Sequence, residues 1–154
     1  STGGIMENRF EVFTVSIANI SRLIRKIENQ EMKELNLRSF HVECLYYLYA
    51  SNIHTAAELC AKCQEDKATI SRTLEDLEQK GFLTREKQDK KRYNTEITLT
   101  DKGQETGKII YDKIQKILED LNNDFSHEQR MILYSCLSKI NKRLAAIAEK
   151  KEEI

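Results

Sequence analysis

Lys67, Ala68, Thr69, Ser71 and Arg72 crowd the start of a helix-forming run, KATISRTLEDLEQK, and a contiguous Lys90-Lys91-Arg92 follows it. These residue types suit nucleic acid. A guanidinium pairs bidentately with a guanine edge, hydroxyls bond bases or phosphates, and ammonium groups neutralise phosphates. Lys67 stands near its helix N-terminus, where a phosphate is also welcomed by the helix dipole. On a helical wheel Ile70, Leu74 and Leu77 set the buried direction. Ala68, Thr69 and Arg72 lie opposite them, with Lys67 and Ser71 at the flanks. Farther along, the outward side becomes Glu75, Asp76 and Gln79, which phosphates repel, so only the leading half suits a duplex. Thr55, at the head of the preceding helix, joins the candidate DNA-contacting set. Taken alone, this helix fits an ordinary solvated surface equally well, and a basic hairpin tip is more often a protected edge. The two together, with Gly81 between helix and hairpin, are far more specific.

Other chemistry finds less support. Cys60-x-x-Cys63 has a spacing compatible with soft metal binding or thiol oxidation. Free cysteines also pack as small hydrophobes, which is the stronger reading of a pair on one face of a short helix. Zinc would need two more ligands, and His41 and His54 make no convincing second pair, so no metal and no cofactor is expected. The βαβ setting of a thioredoxin-like motif is missing. No nucleophile pairs with a base and the five glycines are scattered, so the chain does not read as an enzyme.

The elements that position these groups follow from periodicity. Phe10, Phe13, Ile17, Ile20, Ile24 and Ile27 form an apolar seam on a helix from about Glu7 to Gln30. A second helix begins near Ser39, with Phe40, Leu45, Tyr46, Leu48 and Tyr49 on its buried side. Thr55-x-x-Glu58 reads as a capping box for a third, and Asp66 is placed to cap the fourth. Gly81 ends that fourth helix as a left-handed cap. Phe82 to Lys87 and Tyr93 to Thr100 read as strands, with a tip at Gln88 to Lys91. A helix from about Asp101 past Leu121 and another opened by Ser126-x-x-Gln129 close the chain. The predicted fold is mainly α, a winged helix-turn-helix of order α-α-α-α-β-β-α-α. Residues 1–5 precede Met6 and read as a cloning remnant; 6–35 hold the first helix, 36–100 the winged helix, and 101–154 the closing helices.

Composition agrees with a folded protein: 32% charged, 40% hydrophobic, mean hydropathy −0.60. The formal net charge is zero, yet Lys67 to Thr100 carries eight basic residues (67, 72, 80, 85, 87, 90, 91, 92) against six acidic ones. Placement outweighs the total. No apolar run spans a bilayer and no secretory signal is visible, so a cytoplasmic location without membrane contact is expected.

The residues from Thr55-Ala-Ala-Glu-Leu through Asp66-Lys-Ala-Thr-Ile-Ser-Arg-Thr-Leu, Leu77-Glu-Gln-Lys-Gly-Phe-Leu-Thr-Arg and Leu99-Thr-Asp-Lys-Gly103 resemble the MarR family of bacterial transcription regulators. The resemblance implies a homodimer built from the first and last helices, through Phe10, Phe13, Ile17, Ile114, Ile117, Leu121, Leu137, Ile140 and Leu144. It implies a recognition helix in the major groove, a wing on the minor groove, and a pseudo-palindromic double-stranded DNA target. It further implies release by a small lipophilic or phenolic effector, in a pocket for which Ile17, Arg38, His41, Tyr46 and Tyr111 stand in suitable elements. The family wing usually places an Asp and a basic pair at a fixed distance before Leu-Thr. Here Asp89 is farther from Leu99, and Tyr93 falls near the second basic position. Arg92, or alternatively Lys91, becomes the candidate minor-groove cation, and Arg85 with Asp89 a candidate brace. Two further readings stand beside this one: a thiol- or metal-responsive regulator using Cys60 and Cys63, and a helical scaffold that binds protein without DNA.

Overall fold

Ile70, Leu74 and Leu77, spaced to share one helical face, are wholly shut off from solvent, and the central fold is assembled around them. The computed structural model describes residues 8–86 and 94–152. Its elements are α1 (Arg9–Glu31), a 3-10 turn (Lys33–Leu35), α2 (Ser39–Ala50), α3 (Ala56–Cys63), α4 (Lys67–Gln79), β1 (Leu83–Arg85), β2 (Ile97–Leu99), α5 (Asp101–Asn122) and α6 (His127–Glu152). The chain divides into two units, Ser1–Tyr111 and Asp112–Ile154, with the division inside α5. The order of elements is the one the sequence predicts, and the architecture is a winged helix.

Within the first unit, α2, α3 and α4 bury Leu45, Leu59, Ile70, Leu74 and Leu77 together with Phe82, Leu83 and Ile110. Each such side chain contributes roughly 1.5–3 kcal/mol by leaving water. The buried residues of α2 are Val42, Cys44, Leu45 and Leu48. The expected Phe40, Tyr46 and Tyr49 are only half-buried. A nearly all-apolar helix gives no sharp stripe from which to choose its inner face.

The ends of the elements are chemically explicit. The Glu58 N–H donates to Thr55 Oγ1 (3.2 Å), while the Glu58 carboxylate accepts from the His54 N–H (2.9 Å), one residue earlier than a capping box requires. Gln64 takes the left-handed conformation (φ 49°) that turns α3 into α4. At Gly81 φ is 82°, the Gly81 N–H donates to Glu78 O and the Phe82 N–H to Leu77 O, each at 3.0 Å.

The ribbon pairs Leu83 with Leu99, Thr84 with Thr98 and Arg85 with Ile97, antiparallel. Among the described residues both strands are shorter than predicted, while Lys87, Tyr93 and the predicted tip from Gln88 to Lys91 lie outside the described residues. Past Leu99 the Thr100 hydroxyl leaves the ladder, donating to Gly81 O (2.6 Å) and accepting from the Gly103 N–H (3.1 Å) as α5 begins. The other edge of β2 is also occupied, since the Ile97 N–H donates to His54 O at 2.7 Å.

In the second unit Ser126 and Gln129 form the predicted reciprocal box: Gln129 N–H to Ser126 Oγ, 3.2 Å, and Ser126 N–H to Gln129 Oε1, 2.9 Å. Arg130 donates to Asn122 O and Phe125 O, both at 2.9 Å, closing the end of α5. Among the described residues no helix is long and apolar enough to cross a membrane.

Candidate nucleic-acid interface

The leading turn of α4 is set by its cap. Asp66 accepts from the Thr69 N–H (2.8 Å) and from the Thr69 hydroxyl (2.7 Å), and these two bonds hold its carboxyl below the usual range. Thr69 Oγ1 in turn accepts from an Arg72 nitrogen at 3.4 Å. The result is a chain, Asp66–Thr69–Arg72, that aims the guanidinium along the helix surface. Lys67, Ala68, Ser71 and Arg72 are exposed, and Thr69 is half-buried. Thr55 sits half-buried at the head of α3, its hydroxyl engaged in capping. The apolar face of α4 is buried, so these polar groups are left on the open side.

The root of the wing is fixed to the same helix. Arg85 Nε donates to Glu78 Oε2 at 2.8 Å, with the Arg85 side chain nearly out of solvent. Asp89, the brace expected from sequence, lies outside the described residues, as do Lys90, Lys91 and Arg92. With Arg85 on Glu78 and Ile97 on His54, the bases of both strands are tied to the helix-turn-helix.

A second feature adjoins the exposed leading turns of α4. Asn36, Arg38, Phe40, His41, Arg72, Thr73, Asp76 and Lys80 line an open cleft of about 390 Å³ between the start of α2 and the outer side of α4. His41 bridges its walls. Its Nδ1 accepts from the Arg38 N–H (3.1 Å), which leaves the proton on Nε2, 2.6 Å from Asp76 Oδ2. Lys80 Nζ stands 3.4 Å from the other Asp76 oxygen.

A model of the MarR family matches residues 35–92. This stretch is a MarR-family domain. Two Bacillus subtilis relatives are described as uncharacterized HTH-type transcriptional regulators. YwoH is 28% identical over 110 residues, covering 71% of this chain and 80% of its own length. YdgJ is 25% identical over 103 residues, covering 67% of this chain, and the chain spans 63% of that relative's length. Among solved structures, a MarR-family transcriptional regulator from Listeria monocytogenes complexed with 26mer DNA superposes with a TM-score of 0.77 at 23% identity, covering 86% of this chain and 89% of that one.

The MarR-family domain gathers the predicted DNA-contacting residues of α4 on one surface, with Thr55 on the helix before. The predicted effector residues are spread over three places. Arg38 and His41 line the cleft against α4. Tyr46 and Tyr111 stack at 6.3 Å with Tyr49 tilted beside Tyr111 at 6.0 Å. Ile17 is exposed on α1.

Sequence spacing missed the neighbour of Cys63. The thiol that most perturbs it belongs to Cys44, a buried residue of α2, and not to Cys60. The interaction of the two thiols, together with burial, pushes Cys44 up, and the same interaction draws Cys63 down against the effect of its own burial. Among the described residues no group of three or more His, Cys, Asp or Glu is arranged to hold a metal ion. Cys44 sits nineteen positions before Cys63, and no local motif announces the contact.

Proposed function

We infer that the protein is a homodimeric, sequence-specific transcriptional regulator, a repressor that binds a pseudo-palindromic operator and leaves it when a small lipophilic or phenolic effector binds. The coarser class, a DNA-binding regulator of MarR type, follows from the domain at residues 35–92. The finer reading is carried by one observation above the rest. The exposed Lys67, Ala68, Ser71 and Arg72 stand on the leading half of α4, the half that can enter a major groove. Dimerisation is supported by exposed apolar residues on α1 and α6, among them Phe13, Ile17, Leu137 and Leu144. The stacked tyrosines Tyr46 and Tyr111 offer an aromatic surface of the kind a phenolic effector would use.

Selection of bound duplexes from random DNA, followed by fluorescence anisotropy, tests the reading. Arg72→Ala is expected to cost about 1–3 kcal/mol and to relax preference at one base step. Arg92→Ala is expected to weaken all sequences alike and flatten the salt dependence. Equal binding by both variants and the parent would remove the docking scheme.

The interaction of the Cys44 and Cys63 thiols favours one second reading, a thiol-responsive regulator whose pair is Cys44 and Cys63. It requires that peroxide treatment weaken DNA binding in the parent and leave Cys63→Ser unaffected.

A further inference from the structure

We propose that the cleft between the start of α2 and the outer side of α4 is a seat for a DNA backbone phosphate, with Arg38 and Lys80 as its cations and His41 as the residue that keeps Asp76 from repelling it. The proposal rests on the DNA-binding reading above and extends the interface beyond the leading turns of α4.

Three cations, Arg38, Arg72 and Lys80, line the cleft with one carboxylate, Asp76. Among the described residues neither guanidinium has a carboxylate within ion-pair distance. Arg38 is exposed, and its cleft contains Arg72, the candidate base reader. A phosphate flanking the base that Arg72 reads is therefore the anion within closest reach. The volume, about 390 Å³, is open and polar enough for a hydrated phosphodiester.

The sequence argues that the trailing half of α4 repels phosphates through its acidic side chains. The structure removes much of that objection at Asp76. One of its oxygens faces the His41 Nε2–H at 2.6 Å and the other faces Lys80 at 3.4 Å. The Arg38 N–H on Nδ1 fixes the tautomer that donates to Asp76. Asp76 thus holds His41 and Lys80 in place; the neutral imidazole occupies one of its oxygens, Lys80 offsets part of its charge, and the remaining negative charge is what Asp76→Asn removes. Phe40 walls the cleft without competing for the anion.

The test uses the full chain and a duplex selected from random DNA by the parent, with a scrambled duplex beside it. Arg38→Ala should weaken both duplexes by about tenfold and lower the slope of log affinity against log salt by about one, as loss of one phosphate contact does. Asp76→Asn should tighten binding several-fold, a gain that misfolding cannot produce. His41→Ala should weaken binding, and adding Asp76→Asn should restore it; a merely structural histidine would not be rescued. Unchanged affinity and slope in Arg38→Ala, with no gain in Asp76→Asn, overturns the proposal. So does an Arg38→Ala protein that binds DNA normally but loses affinity for benzoate, which would make the cleft a small-anion site. In either case impaired binding by Arg72→Ala would leave the broader function standing, whereas a parent with no affinity for any duplex would remove that function itself.

Discussion

Glu28 on α1 keeps one carboxyl oxygen, Oε2, out of solvent with no hydrogen-bond donor among the described residues. Burial, then the nearby Glu43, raises its pKa to about 7 from an ordinary 4.5, with Arg25 pulling the other way. The folded chain therefore takes up a proton between those values, and the associated stability is full below 4.5 and lost as pH rises through about 7. Glu28→Gln should be more stable than the parent at pH 8 by on the order of 1 kcal/mol, after allowing for solvent screening of a half-exposed group. Urea denaturation across the pH range should show that advantage shrinking towards zero near pH 4.5; a constant gap would mean the carboxyl is not the cause. At this scale the sequence was only partly legible. A helical wheel finds the outward residues of α4, because spacing of three and four is a local property. It cannot find His41 beside Asp76, or Cys44 beside Cys63, because those pairs exist only once α2 packs against its neighbours.

The junction between ribbon and α5 shows why a short string such as Leu99-Thr-Asp-Lys-Gly103 is so recognisable. Thr100 binds Gly81 O and caps the Gly103 N–H. Lys102 donates to Lys80 O at 2.7 Å and lies over the Phe82 ring at 4.4 Å. Gly103 has no room for a side chain, since an added Cβ would fall on the Phe82 carbonyl. Gly103→Ala should therefore destabilise the domain by about 1–3 kcal/mol, read from thermal unfolding, by pushing α5 away from the ribbon. A neutral result would show that the helix start shifts freely. Capping residues and Gly81 were readable because caps and left-handed turns depend on a few adjacent residues. The root of the ribbon was not, because the Thr100 side chain caps α5 just past the last rung, Thr100 N–H to Phe82 O, and the far edge of β2 is taken by His54, both decided by distant chain.

Across the molecule, exposed apolar side chains recur on the long helices. In α1 they include Phe13, Ile17, Ile20 and Ile24; the Phe10 side chain lies outside the described set. In α6 they include Leu133, Leu137 and Leu144, while Ile114 and Ile140 are half-buried, and Ile117 and Leu121 stand exposed on α5. If α6 supplies the contact between copies, Leu144→Glu should weaken self-association by about 2 kcal/mol or more, seen by light scattering across a dilution series. A parent that is itself monomeric at all concentrations would contradict the dimer. The seam was legible in sequence because period-four apolar residues mark a helix face; what covers that face is not written in the spacing.

The hairpin's root is moored at three places: Arg85 to Glu78, Ile97 to His54 and Thr100 to Gly81. A root so anchored works as a gauge, holding Leu83–Arg85 and Ile97–Leu99 at a set offset from the helix beside them. Operators with one base pair inserted between the stretch read by α4 and the stretch touched by the hairpin should lose most of their affinity, while changes of letter at the same spot should be mild. Tolerance of the insertion would mean that the gauge flexes.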